Sequence, residues 1–181
     1  PPPYSREEEC KIPFSSPGDG KGFRRDRDFP TMQAIVCHEL TGPAALRLEE
    51  VPEPHPGPGQ VRIRVRACGV NFADSLITRG QYQQQPALPF SPGFEVSGEV
   101  LELGTGVGGI AIGDRVIAMT PHGGYAEQVI ADIERCVPMP AAMSWEHGAA
   151  FPVVFGTSHL ALWHRARRPR EKPRRVPRTS R

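Results

Sequence analysis

The sequence is poor in cysteine, and its four cysteines are far apart. They include no Cys-x-x-Cys pair and lie at Cys10, Cys37, Cys68 and Cys136. Such spacing supports neither a structural zinc site nor a disulfide framework. We therefore expect reduced thiols in an intracellular protein, in the cytoplasm or, as the alternative, in mitochondria.

The sequence also lacks long apolar runs and the short motifs of metal or serine-nucleophile sites. No uninterrupted run approaches the roughly 18 to 20 apolar residues that cross a bilayer, and no signal-peptide core precedes Met32. The six histidines are not at ligand spacing, and no serine lies in a Gly-x-Ser-x-Gly elbow. We predict a soluble protein with no membrane partner and no metal site.

Positive charge is concentrated at the C-terminal end of the sequence. The net charge is +2, and residues 165–181 hold nine basic groups and one acid. Residues 32–164 hold seven arginines and thirteen carboxylates, so their charge is 7 − 13 = −6. This balance is a poor match for nucleic acid, which we do not expect as a partner. For the basic tail, we favour an out-of-frame or alternatively spliced ending over a nucleic-acid or membrane contact.

Composition divides the 181 residues into four segments. Residues 1–31 are rich in proline, glycine and charge, which predicts a disordered leader, and their acidic run argues against a mitochondrial presequence. Residues 32–151 have the pattern of one domain, residues 152–166 that of a helix, and residues 167–181 that of a disordered tail. The length leaves room for one ordinary domain and not for two.

Short alternating runs predict a mainly β fold with short helices. The expected strands are Gln33–His38, Leu46–Val51, Gln60–Cys68, Glu95–Leu103, Asp114–Met119 and Tyr125–Ile130. In the clearest run, QVRIRVRAC, arginines alternate with apolar residues. We interpret these arginines as a solvated strand face balanced by Glu49, Glu50 and Glu53, not as a nucleic-acid stripe.

The sequence predicts two helices. It also contains a glycine-rich segment, which we expect to form a loop and not the start of a helix. A short helix starts near Phe72, and a longer one starts at Pro152, a favoured first helical position. Gly104 to Gly109 read GTGVGG and match the spacing of a dinucleotide fingerprint. That fingerprint needs a helix at the third glycine, where backbone N–H groups meet the phosphates. Here another β segment, IAIGDRV, follows, so we predict a hairpin-like loop.

Five motifs in order carry a family resemblance. They are GVNFADSLITRGQY from Gly69 to Tyr82, then PFSPGFEVSGEV, GDRV, GGYAE and AAFPVVFGTSHLAL. Together they resemble the medium-chain dehydrogenase/reductase superfamily, in its zinc-free quinone oxidoreductase and zeta-crystallin branch. The resemblance implies a GroES-like, partly open β-barrel on the substrate side of a cleft. It also implies that the predicted second helix leads into a Rossmann domain, which this chain is too short to contain.

The resemblance further implies a chemistry without zinc. Asn71 and Phe94 stand where zinc-dependent relatives have a cysteine and a histidine ligand. The expected reaction is hydride transfer from NADPH to a quinone or an α,β-unsaturated carbonyl. The full-length parent would be a homodimer, and this shorter chain would be inactive alone.

The family pattern also assigns candidate site residues. Asn71 and Tyr82 match catalytic polar positions, and Asn71 and Thr157 match positions beside the nicotinamide. Asp74, Leu76 and Tyr82 match the substrate pocket, although Asp74 has the alternative of capping or bracing the short helix. Leu76 stands where some relatives have a tyrosine, so acceptor preference does not carry over.

Two other functions stay open from the sequence. One is a non-catalytic interaction module that uses the second helix and the basic tail. The other is a fragment of an enoyl-thioester reductase, which shares this barrel. Glu95, at the end of the Gly-Phe-Glu motif, is expected to brace strands and not to act as an acid or base.

Overall fold

The computed structural model of the protein describes residues 30–166, with side chains through residue 163. Residues 1–29 of the predicted leader 1–31, the predicted tail 167–181 and Cys10 lie outside the described residues. The last residue of that leader, Thr31, begins the first strand and is not disordered. The strands are β1 Thr31–Val36, β2 Arg47–Pro52, β3 Gln60–Cys68, β4 Glu95–Leu103, β5 Arg115–Met119, β6 Gln128–Asp132 and β7 Cys136–Pro138. The helices are α1 Phe72–Ile77 and α2 Trp145–Ala166, and short 3-10 turns cover Pro43–Ala45 and Ile133–Arg135.

The strands form two antiparallel sheets that curl towards each other. One sheet pairs β1 with β2, and the other has the order β6-β3-β4-β5-β7. Backbone hydrogen bonds join the sheets, since Ile35 N–H donates to the Tyr125 carbonyl at 2.8 Å and Cys37 N–H to the Phe90 carbonyl at 2.7 Å. The predicted mainly β, partly open barrel is confirmed.

The core lies inside this curl and is built mainly from β-branched residues of alternating strand positions. Its buried members are Val61, Ile63, Val96, Val100, Val116, Ala118, Val129 and Ala131. The pairing of β3 with β4 has register shifts between Arg62 and Ile63 and between Val65 and Ala67. Val61 and Ile63 are fully buried, and Val65 is partly buried against the same core.

Two of the three arginines of β3 pair with carboxylates, as expected for a strand face at the protein surface. Arg62 contacts Glu53 at 2.8 Å and Glu102 at 2.9 Å, and Arg66 contacts Glu99 at 2.9 Å. Only Glu53 is among the predicted partners. The others come from the neighbouring strand β4, because directly paired strands place their side chains closest together.

Helix α2 begins at Trp145 and contains Pro152, so the predicted start at Pro152 is wrong. The missed signal is Ser144, whose Oγ accepts the backbone N–H of His147 at 3.3 Å in the manner of a helix N-cap. The preceding segment is held by Arg115, which donates to the carbonyls of Ala141 and Met143, both at 2.6 Å. The helix therefore starts against the barrel.

Two glycine positions explain local chain paths. Gly93 has φ +102°, and a Cβ there would lie 2.7 Å from the Cα of Gly124, so only glycine fits the turn. Gly104 lies so close to the Gly57 carbonyl that a Cβ would overlap it. The segment from Gly104 continues through turns into β5 and not into a helix, which confirms the predicted loop.

One further property of the described residues bears on their environment. Among residues 30–166, no helix combines the length and the apolar character that a membrane span requires.

Candidate functional site

The site is built first on the short helix α1. Asn71 is its N-cap, in extended backbone conformation. The Asp74 carboxylate accepts the Asn71 backbone N–H at 2.7 Å through Oδ2 and the Gly93 N–H at 3.0 Å through Oδ1. Asp74 is therefore a buried brace between α1 and the turn before β4. This geometry agrees with its bracing alternative, and its placement in a substrate pocket stays a prediction.

A second carboxylate joins α1 to α2. Glu95, the first residue of β4, is 2% exposed. Its Oε1 accepts an N–H from Asn71 Nδ2 at 2.8 Å, and its Oε2 accepts the backbone N–H of Val153 at 2.8 Å. Glu95 was expected to brace strands. In the structure its side chain also links the two helices α1 and α2.

An aromatic pair includes Phe94, the residue that precedes this glutamate in the chain. The Tyr82 ring contacts the Phe94 ring with centroids 5.1 Å apart and planes tilted by 50°. Both pack on the buried cluster of Cys37, Ile77 and Phe90. Because Phe94 directly precedes Glu95, the structure brings Tyr82 near the end of the strand that holds the Asn71 amide. Leu76 lies half-buried on α1.

Thr157 lies in more exposed surroundings than Asn71, Asp74 and Glu95. It lies on α2 one turn beyond Val153, a rise of about 6 Å along the axis, and it is exposed. The neighbouring Gly156 has open space where a Cβ would stand. The joint contact of Thr157 and Asn71 with a nicotinamide stays a prediction.

The thiol and phenol near the site are held in their neutral forms. Burial, with the charges of Asp74 and Glu95 nearby, raises the pKa of Cys68 to about 12. Burial, followed by the charge of Asp74, raises the pKa of Tyr125. A protonated thiol is a poor nucleophile and metal ligand, so Cys68 is suited to packing and not to covalent catalysis.

Zinc was not expected, and the structure identifies no alternative metal cluster. Within residues 30–166, no group of three or more His, Cys, Asp or Glu side chains converges on one point. The absence of zinc from the parent enzyme stays a prediction, carried by Asn71 and Phe94 at the positions named above.

A separate cavity of about 550 Å³ lies elsewhere in the barrel. Its walls come from β1, residues 86–91 and residues 122–130, and they are mainly apolar. His122 is one of the few polar lining groups, and burial lowers its pKa. None of the predicted site residues lines this cavity.

Sequence reasoning identified Asn71 and missed what orients it. Glu95 stands 24 residues from Asn71 and 58 residues from Val153 along the chain. The available signal was the Gly-Phe-Glu motif, in which an acidic residue follows a turn at the start of a buried strand.

Comparisons with known proteins agree with this fold. The alcohol dehydrogenase GroES-like domain family matches residues 57–141. Quinone oxidoreductase-like protein 2 of Rattus norvegicus is 47% identical over 135 residues, which cover 75% of this chain and 38% of that protein. The chain thus spans well under half the length of this relative.

Solved structures show the same relationship. Human synaptic vesicle membrane protein VAT-1 homolog-like protein superposes with a TM-score of 0.73 and 39% identity, over 76% of this chain and 44% of that one. The quinone oxidoreductase of Thermus thermophilus, also solved in complex with NADPH, gives a TM-score of 0.65 and 41% identity, over 76% and 42%. Residues 57–141 therefore form a domain of the alcohol dehydrogenase GroES-like family, and the chain is similar to quinone oxidoreductase-like proteins of the medium-chain dehydrogenase/reductase superfamily.

Proposed function

We propose that this chain supplies the substrate-side half of an NADPH-dependent oxidoreductase that reduces quinones or α,β-unsaturated carbonyls without zinc. The observation that carries the proposal is the Asn71 amide, which the buried Glu95 orients at 2.8 Å, together with the Tyr82–Phe94 aromatic pair, whose Phe94 directly precedes Glu95 in the chain. An amide nitrogen has two N–H groups, and Glu95 accepts one of them. The other is the donor that we assign to the substrate.

This donor suits the charge that the reaction creates. Addition of a hydride to a conjugated carbonyl moves an electron pair onto its oxygen, which then takes a proton from solvent. A fixed N–H donor stabilises that developing negative charge without a metal ion. The planar Tyr82 and Phe94 rings offer an aromatic surface on which a flat acceptor such as a quinone stacks.

The residues present fit one end of NADPH. Bound NADPH would supply the hydride. The exposed Thr157 hydroxyl is the polar group that we assign to the nicotinamide, and the open space at Gly156 permits close approach of a flat ring. The remaining contacts would come from the part of the relatives that this chain does not span. We therefore propose that the chain alone is inactive. The homodimer that the family resemblance implies for the complete enzyme stays a prediction.

We propose a reducing compartment, and the thiols of the described residues support it. Cys37, Cys68 and Cys136 are free, which supports a reducing compartment, the cytoplasm or alternatively mitochondria. Fractionation of cells that express the chain tests this, and recovery from the secretory pathway would overturn it.

A second candidate function is a non-catalytic interaction module. It is favoured by the apolar residues that α2 exposes, among them Phe155, Leu160 and Leu162, since exposed apolar patches mark contact surfaces. In this case the barrel would hold a protein partner through α2 and would need no cofactor.

A chimera separates these functions. Residues 30–166 are fused to the C-terminal remainder of the rat quinone oxidoreductase-like protein 2, and NADPH oxidation is followed with a quinone, an enone and an enoyl thioester. We expect reduction of the quinone or the enone. Preference for the enoyl thioester would favour the enoyl-thioester reductase instead, and a folded, NADPH-binding chimera that reduces none of them would contradict the proposal.

Asn71→Ser tests the assigned donor within that chimera. Serine keeps a favourable N-cap but removes the amide N–H groups. We expect kcat to fall by about 100-fold or more, as for the loss of an oxyanion donor. Gln81→Ser, at an exposed position, is the matched control and should leave kcat unchanged.

A further inference from the structure

Glu95 is a buried acidic side chain to which the proposed reaction assigns no step. It is 2% exposed, and within the described residues no ion pair with lysine or arginine is found for it. A carboxylate without such a counter-charge is costly to bury unless hydrogen bonds satisfy it. Its place in the interior therefore depends on the groups that donate to it.

Those donors come from two different helices. Asn71 Nδ2 at the start of α1 donates to Oε1, and the Val153 N–H of α2 donates to Oε2, both at 2.8 Å. A carboxylate only accepts hydrogen bonds, so it selects the nitrogen side of the Asn71 amide. The orientation of this amide is fixed by Glu95.

The contact with α2 occurs next to its internal proline. Pro152 has no N–H, and a proline ring inside a helix crowds the carbonyl four residues earlier. The next N–H along the chain, that of Val153, has an acceptor outside the helix in Glu95. The carboxylate therefore fastens α2 to β4 at the point where the helical hydrogen-bond ladder is interrupted.

A glycine keeps the space for this carboxylate. A Cβ on Gly69 would overlap Oε1 of Glu95, with its Cδ and Cγ both 2.7 Å away. The Gly69 N–H also donates to the Glu95 carbonyl at 3.0 Å. Backbone and side chain of Glu95 are thus both held by the segment that leads into α1.

We infer that Glu95 is a positioning residue, which orients the Asn71 amide and fixes the turn of α2 from Val153 to Thr157 as one unit. The inference rests on the proposed function for the roles of Asn71 and Thr157. It adds that these two groups, one on each helix, are held in register by a single carboxylate. Glu95 acts through them and does not contact the reacting atoms.

The test uses the full 181-residue chain and nuclear magnetic resonance, so it needs no turnover. Glu95→Gln keeps the side-chain length but replaces one acceptor oxygen by an N–H donor. We expect the Asn71 side-chain amide protons to change chemical shift, or the Val153 N–H to exchange at least about tenfold faster, which corresponds to about 1.4 kcal/mol. Glu99→Gln, on the same strand and paired with Arg66, is the matched control and should change neither signal.

A second variant covers the case in which Glu95→Gln does not fold. Asn71→Ser keeps a capping residue and removes one of the two donors to Glu95. We expect the Val153 N–H to change shift, because its acceptor has lost the second hydrogen bond. Unchanged Asn71 and Val153 signals in folded Glu95→Gln, or an unchanged Val153 signal in Asn71→Ser, would overturn the inference. A folded, NADPH-binding chimera that reduces none of the acceptors would overturn the proposed function and leave these readouts intact.

Discussion

The two halves of helix α2 lie in contrasting surroundings. In the proximal half, residues 145–153, Ala149 is buried, the Trp145 carbonyl accepts the Ser97 hydroxyl at 2.6 Å, and Val153 is bound by Glu95. In the distal half, residues 154–166, Phe155 is 57% exposed and Leu162 is 69% exposed. One continuous helix therefore has an anchored end and an apolar end that stands away from the barrel.

This contrast separates the part of α2 that stabilises the fold from the part to which we assign a function. The barrel holds the buried core, and the proximal half is hydrogen-bonded to the barrel through the Trp145 carbonyl and the Val153 N–H. The distal half carries Thr157 among exposed apolar residues, an arrangement that suits contact with further protein. Stability and proposed function are thus assigned to different stretches of one helix.

The largest expected difference comes from placing a charge in each half. Ala149→Asp puts a carboxylate at a position that is 2% exposed, and we expect the free energy of unfolding to fall by roughly 3 kcal/mol. Leu160→Asp places the same group at a position that is 59% exposed and should cost less than about 1 kcal/mol. Urea denaturation measures both, and equal losses would erase the contrast.

A larger side chain in place of a glycine gives the next largest expected difference in stability between the two halves of α2. At Gly148 a Cβ would lie 2.9 Å from Met139 Sδ and 3.1 Å from Ser97 Cβ, whereas at Gly156 it meets nothing within 4 Å. Gly148→Val should therefore destabilise the chain by about 2 kcal/mol, and Gly156→Val should change stability by less than about 0.5 kcal/mol. The midpoints of urea unfolding decide between them. A tolerated Gly148→Val would mean that the proximal half is loosely packed.

Loss of one hydroxyl gives a smaller effect. Ser97→Ala removes the donor to the Trp145 carbonyl, and we expect a loss of about 1.5 kcal/mol because this contact is buried. Ser158→Ala, on the exposed distal half, should stay within about 0.5 kcal/mol of the parent. If the two serine variants unfold at the same urea concentration, the Ser97 contact does not anchor the helix.

The smallest effect is on the pH dependence of stability. Burial raises the pKa of Cys68 to about 12 and that of Cys136 to about 11, from 9.0 in both cases. The unfolded chain then releases these protons at lower pH than the folded chain, so their contribution to stability is nearly constant well below pH 9.0 and falls as the pH rises through it. At a pH of about 9.5 we expect a loss of about 1 kcal/mol or less from each thiol.

Urea titrations between about pH 7.5 and about pH 9.5 measure this slope. Cys68→Ala should reduce it, and the comparison concerns the slopes and not the absolute stabilities. Stability that increases with pH over this range would contradict the assignment of both thiols to buried, neutral states.

The sequence was informative where the signal was local. Alternating apolar residues predicted β3 and β4 with their observed bounds, because each strand carries its own pattern. The three-residue strand β7, Cys136–Pro138, is too short to show a period and was missed. The predicted start of α2 at Pro152 is wrong because Ser144 caps the helix eight residues earlier and Pro152 lies inside it.

The site was predictable only in part, for a physical reason. Family motifs identified Asn71 and Tyr82 as candidates, but no local pattern relates Asn71 to Glu95 or Glu95 to Val153. Those hydrogen bonds join residues far apart in the chain and exist only once β4 and α2 have packed together. The sequence therefore identifies candidate residues, whereas the hydrogen bonds between them are known only from the folded structure.

The central claim is that this chain carries the substrate side of the site and only one end of the cofactor site. Titration of the 181-residue chain with NADPH by calorimetry, at physiological salt, tests it most directly. We expect no saturable binding up to about 1 mM NADPH. The binding free energy would then be weaker than about 4 kcal/mol. In the described residues, the glycine-rich segment from Gly104 leads into β5 and provides no helix N-terminus for phosphates. Micromolar binding of NADPH would contradict the account.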